Sequence, residues 1–202
     1  MLFRSTALSL SSLPASATNT NPGSIVIKGT FNVPNATTLT NYDLVLADGV
    51  YSDQNPVIGS GASVEMRNSD PNASWNVQTL TINSGGMLTH TANGTADSYA
   101  LNVNASGNIT VNSGGSIDVS KKGYSIGNGP GKGTTGIGAG YGGYGYGANA
   151  TYGNTYGSIT QPFDSGSGGA NVGTGGGRAK IVAQNLVNNG SITAAGNGSG
   201  LT

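Results

Sequence analysis

Cysteine is absent from the 202 residues, and charge is scarce: Asp, Glu, Lys and Arg make up 8% of the chain and cancel to a net charge of zero. The first absence removes disulfide staples and thiolate metal sites, while leaving the compartment open. The second removes the basic cluster that phosphate neutralisation requires, so no nucleic-acid partner is expected. Lys121, Lys122 and Lys132 are spread through a glycine-rich run and read as a solvated edge. No apolar run reaches about 18 residues, so no membrane-spanning helix is expected. Also missing is any apolar stripe of period 3.6 lasting three turns, because glycine interrupts nearly every window that could begin one. With 35% hydrophobic residues and no net charge, the composition is that of a folded chain whose surface is built from hydroxyls and amides.

What is present is strand and turn. "SIVIKGTFNV" and "YDLVLADGVY" alternate β-branched and aromatic residues, and "ASVEMRN" and "WNVQTLTIN" follow across the turn material "SDPNAS". A repeat lies within this pattern. "LTINSGGMLT" (80–89) matches "ITVNSGGSID" (109–118), and "LVNNGSIT" (186–193) is a shorter version. Leu80 and Ile82 share a face, as do Ile109 and Val111, because strand side chains alternate. The Ser-Gly-Gly corner tolerates positive φ and turns the chain, after which Leu88 and Ile117 re-enter the core. Strands too short to bury a face alone must stack on copies of themselves, as in a solenoid. The fold class expected is all-β, a right-handed parallel β-helix. Antiparallel hairpins closing a β-sandwich are the alternative, since Asn-Gly and Gly-Gly also make two-residue turns.

Residues 123–177 hold 21 of the 36 glycines. A Walker-type phosphate loop fails here: Gly133, not Ser or Thr, follows Lys132, and Ile126 stands where the first glycine belongs. GxGxxG-like matches occur at 131–136 and 138–143, but no helix follows either of them. A solvated spacer has no need of aromatic rings, yet Tyr124, Tyr141, Tyr144, Tyr146, Tyr152 and Tyr156 punctuate this stretch. Rings pack over backbone that carries no side chains, so an ordered insertion against the solenoid is expected.

The succession "LTINSGGML", "ITVNSGGSIDVSKKGY", "GAGYGG", "TYGS", "GSGG" and "GGGRAKIVAQNLVNNGSITAAG" resembles a glycine-rich β-solenoid segment of large bacterial surface and secreted proteins of the adhesin type. The resemblance covers about residues 75–200. It implies an exported stalk or binding surface at the cell surface or outside the cell, and brings no catalytic set. The organisation expected is a signal peptide or disordered N-terminus over 1–23, N-terminal strands over 24–76, coils over 77–122, the Gly/Tyr-rich insertion over 123–177 and a further coil over 178–202. In the first segment, Arg4 would be the charged region, Ser5 to Leu13 a weak apolar region and Ala15 to Ala17 the cleavage site. The last coil ends without a polar cap, which suggests a longer protein or end-to-end association of copies.

No catalytic residue, cofactor or metal site is assigned. His90, in "MLTHTA", is expected to face solvent on a strand. Most of the acids (Asp43, Asp48, Asp53, Glu65, Asp70, Asp97, Asp118 and Asp164) sit in turn-like contexts, and only Asp118 lies on a clear strand. Asp48 and Asp53 could supply a calcium site, although the nonapeptide calcium repeat is absent. The expected ligand contacts are Tyr141, Tyr144, Tyr146, Tyr152 and Tyr156, meeting a carbohydrate or other cell-surface ligand. A polysaccharide lyase or hydrolase on the same scaffold is the alternative function.

Overall fold

The computed structural model describes residues 2–4, 23–28, 31–33, 38–39, 42–134, 138–145, 153–170 and 173–197. The N-terminal segment 5–22, with its signal-peptide reading, lies outside them. The described residues form strands and turns, with no helix. In chain order the strands are β1 (Leu2–Arg4), β2 (Gly23–Lys28), β3 (Phe31–Val33), β4 (Thr38–Leu39), β5 (Tyr42–Leu46), β6 (Tyr51–Asp53), β7 (Val57–Ile58), β8 (Ser63–Met66) and β9 (Trp75–Val77). They continue as β10 (Leu80–Ile82), β11 (Met87–His90), β12 (Leu101–Ala105), β13 (Asn108–Val111), β14 (Ser116–Asp118), β15 (Ala179–Val182), β16 (Asn185–Asn188) and β17 (Ser191–Thr193).

These strands make three sheets, ordered β1-β2-β5-β8-β11-β14-β17, β15-β12-β9-β6-β3 and β16-β13-β10-β7-β4. From β2 onward consecutive strands go to different sheets, and each pairs in parallel with the strand three places along the chain, while β1 pairs with β2 at the edge of the first sheet. This connectivity is compatible with a parallel β-helix and rules out the antiparallel sandwich. Parallel neighbours need a crossover between them, and here the other two sheets supply it. The strands between 24 and 76, where the sequence showed no repeat, occupy places in the same three sheets.

The repeat seen in the sequence is the register of the stack. Leu80 pairs with Ile109, 29 residues on, and Ile109 pairs with Leu186, 77 residues on. Side chains at equivalent positions form inward columns. Leu44, Val64, Leu88 and Ile117 make one, Leu39, Ile58, Ile82 and Val111 another, and Tyr51, Trp75 and Val103 a third, all buried. At the last coil the columns run out into solvent: Leu186 and Ile192 are 46% and 38% exposed.

Outside the core, amides take the place of charges. Asn104 donates to Asn76 (3.3 Å) and Asn185 to Asn108 (2.9 Å) across neighbouring strands, and Asn112 to Asn83 (2.9 Å) across neighbouring corners. Such ladders satisfy polar side chains without opposite charges, which accounts for the low charge content.

The corner from the third sheet back to the first is built alike in three coils, at 59–62, 83–86 and 112–115. In each, the fourth residue donates its amide to the first carbonyl. Its third residue, Gly61, Gly85 or Gly114, has φ of 68°, 76° and 80° respectively. The corners bond to one another: Gly61 donates to the Gly85 carbonyl and Gly85 to that of Gly114. The connection from the first sheet to the second behaves differently. It lengthens along the chain, from 47–50 to 67–74, 91–100 and 119–178.

The chain divides into two compact units. The stack makes up one (1–90, 101–118 and 180–193), and the other comprises 91–100, 119–179 and 194–202.

Candidate functional site

Among its described residues the second unit contains no regular strand apart from Ala179, yet its backbone is densely hydrogen-bonded. Three segments, 123–127, 166–169 and 173–176, are each bonded to both of the others. Gly123 donates to Gly175, and Gly175 donates back to Tyr124. The amides of Tyr124 and Gly127, three residues apart, both reach the second segment, at Gly166 and Gly169. The amides of Gly166 and Gly169 in turn both reach the third, at Gly176 and Gly173. The backbones of these segments approach so closely that no side chain fits between them. A Cβ on Gly123 would run into the carbonyl oxygens of Gly176 and Gly166. Glycine density is therefore a packing requirement of this unit.

The tyrosines divide into two kinds. Tyr141 and Tyr156 pack edge to face, with centroids 4.7 Å apart and planes at 73°. Tyr156 donates its amide to the Tyr141 carbonyl (2.7 Å) and its hydroxyl to the Ser165 carbonyl (2.6 Å). Burial raises the pKa of both phenols. Tyr144, in contrast, is 73% exposed. Tyr146 and Tyr152 lie outside the described residues. Of the expected contacts, then, Tyr144 stands on the surface, while Tyr141 and Tyr156 form part of the unit's packing.

Around Ser165 lies a part-buried polar network. Asp97 accepts from the Ser165 hydroxyl (2.7 Å) and from Asn93 (3.1 Å), and pairs with Arg178 at 3.7 Å. Asn93 also accepts the amides of Ser98 and Tyr99, both at 2.8 Å. These bonds tie 91–100 to 165 and 178, so Asp97 fastens the unit together.

Beside this framework is a cleft of about 350 Å³, lined among others by Gly140, Tyr141, Ser167, Thr174, Gly175 and Asn197. The Thr174 hydroxyl is buried and hydrogen-bonds to no protein atom, while the buried Tyr141 hydroxyl lies beside the Asp164 backbone. A buried hydroxyl costs about 1–3 kcal/mol when left unsatisfied.

A second concavity lies on the stack, a groove of about 570 Å³ walled by Ser52, Asn76 and Asn104 from one outward column. Asp53 borders it. This residue is 9% exposed and accepts the Gln54 amide at 2.9 Å. Burial pushes its pKa up to about 7, against the partial opposition of that amide. Its turn-like sequence context concealed an inward position. The signal was present in "YSD", since Tyr51 and Asp53 share a face and Tyr51 is fully buried.

His90 corrects an expectation: it is fully buried, not solvent-facing. It lies two residues beyond Leu88 on the inward face, paired with buried Met66. Comparison with protein-family models, curated proteins and solved structures returns no match.

The other acids serve local or inter-coil bonds. Asp43 accepts from Ser63 and Asp118 from Thr193, each across a pair of coils. Asp48 accepts the Ser69 amide, Asp70 accepts that of Asn72, and Glu65 pairs with Arg67 at 3.0 Å. Asp164 is exposed. Among the described residues no group of three or more His, Asp or Glu is placed to hold a metal ion. Asp48 and Asp53 are thus engaged by backbone amides in their own surroundings.

Proposed function

We propose that the chain is a non-catalytic structural and adhesive segment of an exported bacterial surface protein. In this reading it is a right-handed parallel β-helix that carries 123–177 as a Gly/Tyr-rich insertion and meets glycans outside the cell. The parallel three-sheet stack supports the scaffold role. The observation that carries the binding role is Tyr144, a large ring left 73% exposed on a glycine-rich frame. Sugar rings present C–H faces that suit an aromatic plane, and aromatic contacts of this kind dominate polar interfaces.

The experiment is a glycan array probed with the purified chain. Tyr144→Ala is expected to lower the signal at least tenfold while changing the melting temperature little, because the residue is 73% exposed. Equal signals from variant and parent would sink the proposed role of Tyr144. Reducing-end assays on the bound polysaccharides should stay flat, and product release would favour the polysaccharide-processing alternative.

A further inference from the structure

We propose that Asn189, in the last corner of the stack, is a site of spontaneous covalent modification, where its side chain closes on the Gly190 nitrogen and converts to aspartate and isoaspartate. The proposal is independent of the glycan-binding reading. Asn-Gly pairs begin at Asn93, Asn128, Asn189 and Asn197. Glycine leaves the nitrogen that follows each asparagine open to approach, because it carries no side chain. The structure describes both residues of the first three pairs and separates them. Asn93 is 5% exposed, donates to Asp97, the Tyr99 carbonyl and Ser165, and accepts the amides of Ser98 and Tyr99. Its Cγ cannot swing toward Gly94 without breaking these bonds. Asn128 is half-buried, and its side chain donates to Ser125 Oγ at 3.0 Å and to the Ile126 carbonyl at 2.9 Å. Asn189 is exposed. Its main-chain amide donates to the Val111 carbonyl at 2.8 Å, as that of Asn112 does to Ile82, so the two asparagines occupy equivalent places. The side-chain bond that joins Asn112 to Asn83, however, is not repeated between Asn189 and Asn112.

Water is the one co-reactant. The Gly190 nitrogen gives its proton to solvent base and attacks Asn189 Cγ. The bond from Cγ to the side-chain nitrogen breaks, and that nitrogen takes up a proton and leaves as ammonia. One water then opens the five-membered imide. Opening at Cγ restores the backbone with aspartate. Opening at the main-chain carbonyl yields isoaspartate, whose backbone runs through the former side chain and is one carbon longer. The Gly190 N–H is held by Asn188 Oδ1 at 3.2 Å, on an exposed side chain. The corner also belongs to a coil whose Leu186, Val187 and Ile192 are 46%, 43% and 38% exposed, so it opens at less cost than the coils beneath. Closed, it has no room for an added carbon. The bonds from Asn189 to the Val111 carbonyl and from Ser191 to that of Gly115 fix its span at both ends, and the carbonyl oxygens of Gly115 and Asn112 close on Gly190. Isoaspartate therefore loosens β17 from β14, where Ser191, Ile192 and Thr193 pair with Ser116, Ile117 and Asp118.

The test stores the purified full chain in mildly alkaline buffer and follows it by peptide mass spectrometry over weeks. Asn189 should gain one mass unit at least about tenfold faster than Asn93 or Asn128, which react only after their own surroundings open. Residues 181–202 contain no Lys or Arg, so Asn189 and Asn197 share one tryptic peptide, and fragment ions assign the site. Enzymatic methylation of isoaspartate should label the aged chain at 189, and hydrogen exchange should show protection lost at 191–193. Asn189→Gln, in which closure would need a larger ring, should keep that protection through the same storage. Asn189→Asp, which adds the charge without lengthening the backbone, should keep it too. The same chain unfolded in urea supplies the rate set by sequence alone. If Asn189 converts there and not in the folded chain, the corner blocks ring closure and the proposal is overturned. Equal rates at Asn93, Asn128 and Asn189 in the folded chain would overturn it as well, since the structure would then select no site. Equal loss of protection in Asn189→Asp would overturn the role given to the longer backbone.

Discussion

Gly115→Val is expected to lower the melting temperature by about 5–15 °C, corresponding to about 2–4 kcal/mol in a chain of this size. A Cβ at this position would stand 2.7 Å from the Ile82 carbonyl oxygen, 2.9 Å from that of Asn83 and 3.1 Å from that of Asn112. All three are backbone atoms, so no flexible side chain can swing aside. Relief would require moving the corner away from the coil beneath it, which would break the bond from the Asn112 amide to the Ile82 carbonyl at 2.8 Å. Gly86 faces the same restriction, with the Ile58 carbonyl oxygen 2.5 Å from its would-be Cβ. Ser113, in the same corner but exposed, supplies the control: Ser113→Ala should change stability by less than about 0.5 kcal/mol. Thermal denaturation followed by circular dichroism reads both. Equal melting temperatures for the two variants would show that the coils are not in close backbone contact at the corner.

Asp53→Asn is expected to stabilise the protein at neutral pH and to flatten its stability between about pH 4 and pH 7. The sign follows from the direction of the shift. The folded carboxyl has a pKa of about 7, above the ordinary value of 3.8. Below pH 4 it carries its proton in both states and brings no penalty. As pH rises toward 7, the unfolded chain ionises while the folded one holds the proton, so stability declines through that window and levels off above it. A shift of this size is worth about 2–4 kcal/mol. Asparagine keeps an oxygen for the Gln54 amide and titrates nowhere in the range. Melting temperatures of parent and variant should converge near pH 4 and separate toward pH 8, with the variant higher. Parallel curves would mean that Asp53 is hydrated in the folded state.

What could be read from the sequence was the local pattern repeated without disguise. Asn-Ser-Gly-Gly occurs twice with the same flanking apolar residues, and those residues turned out to be register partners. The earlier copy of the corner escaped notice because it is written Gly59-Ser60-Gly61-Ala62. Only the third position demands positive φ, so the first and fourth are free to change where the neighbouring backbone allows it. The uneven spacing, 29 then 77 residues, reflects the one connection that grows, while the corner and the strands stay short. The cleft was hidden for a different reason. Its walls come from 138–141, 166–169, 173–176 and 196–197, and glycine backbone has no side-chain pattern to betray which segments meet. The tyrosines pointed to the right region, but nothing in their spacing separates the packed Tyr141 from the exposed Tyr144.

The one connection that lengthens from coil to coil has a consequence for inheritance. Residues gained or lost within 91–100 or 119–178 would fall between strands, in the connection whose length already differs from coil to coil. A lineage could therefore exchange whole segments there by recombination while retaining the strands unaltered. Between relatives, sequence would then diverge in blocks: the strands and Gly-bearing corners slowly, and everything grown from that single position quickly.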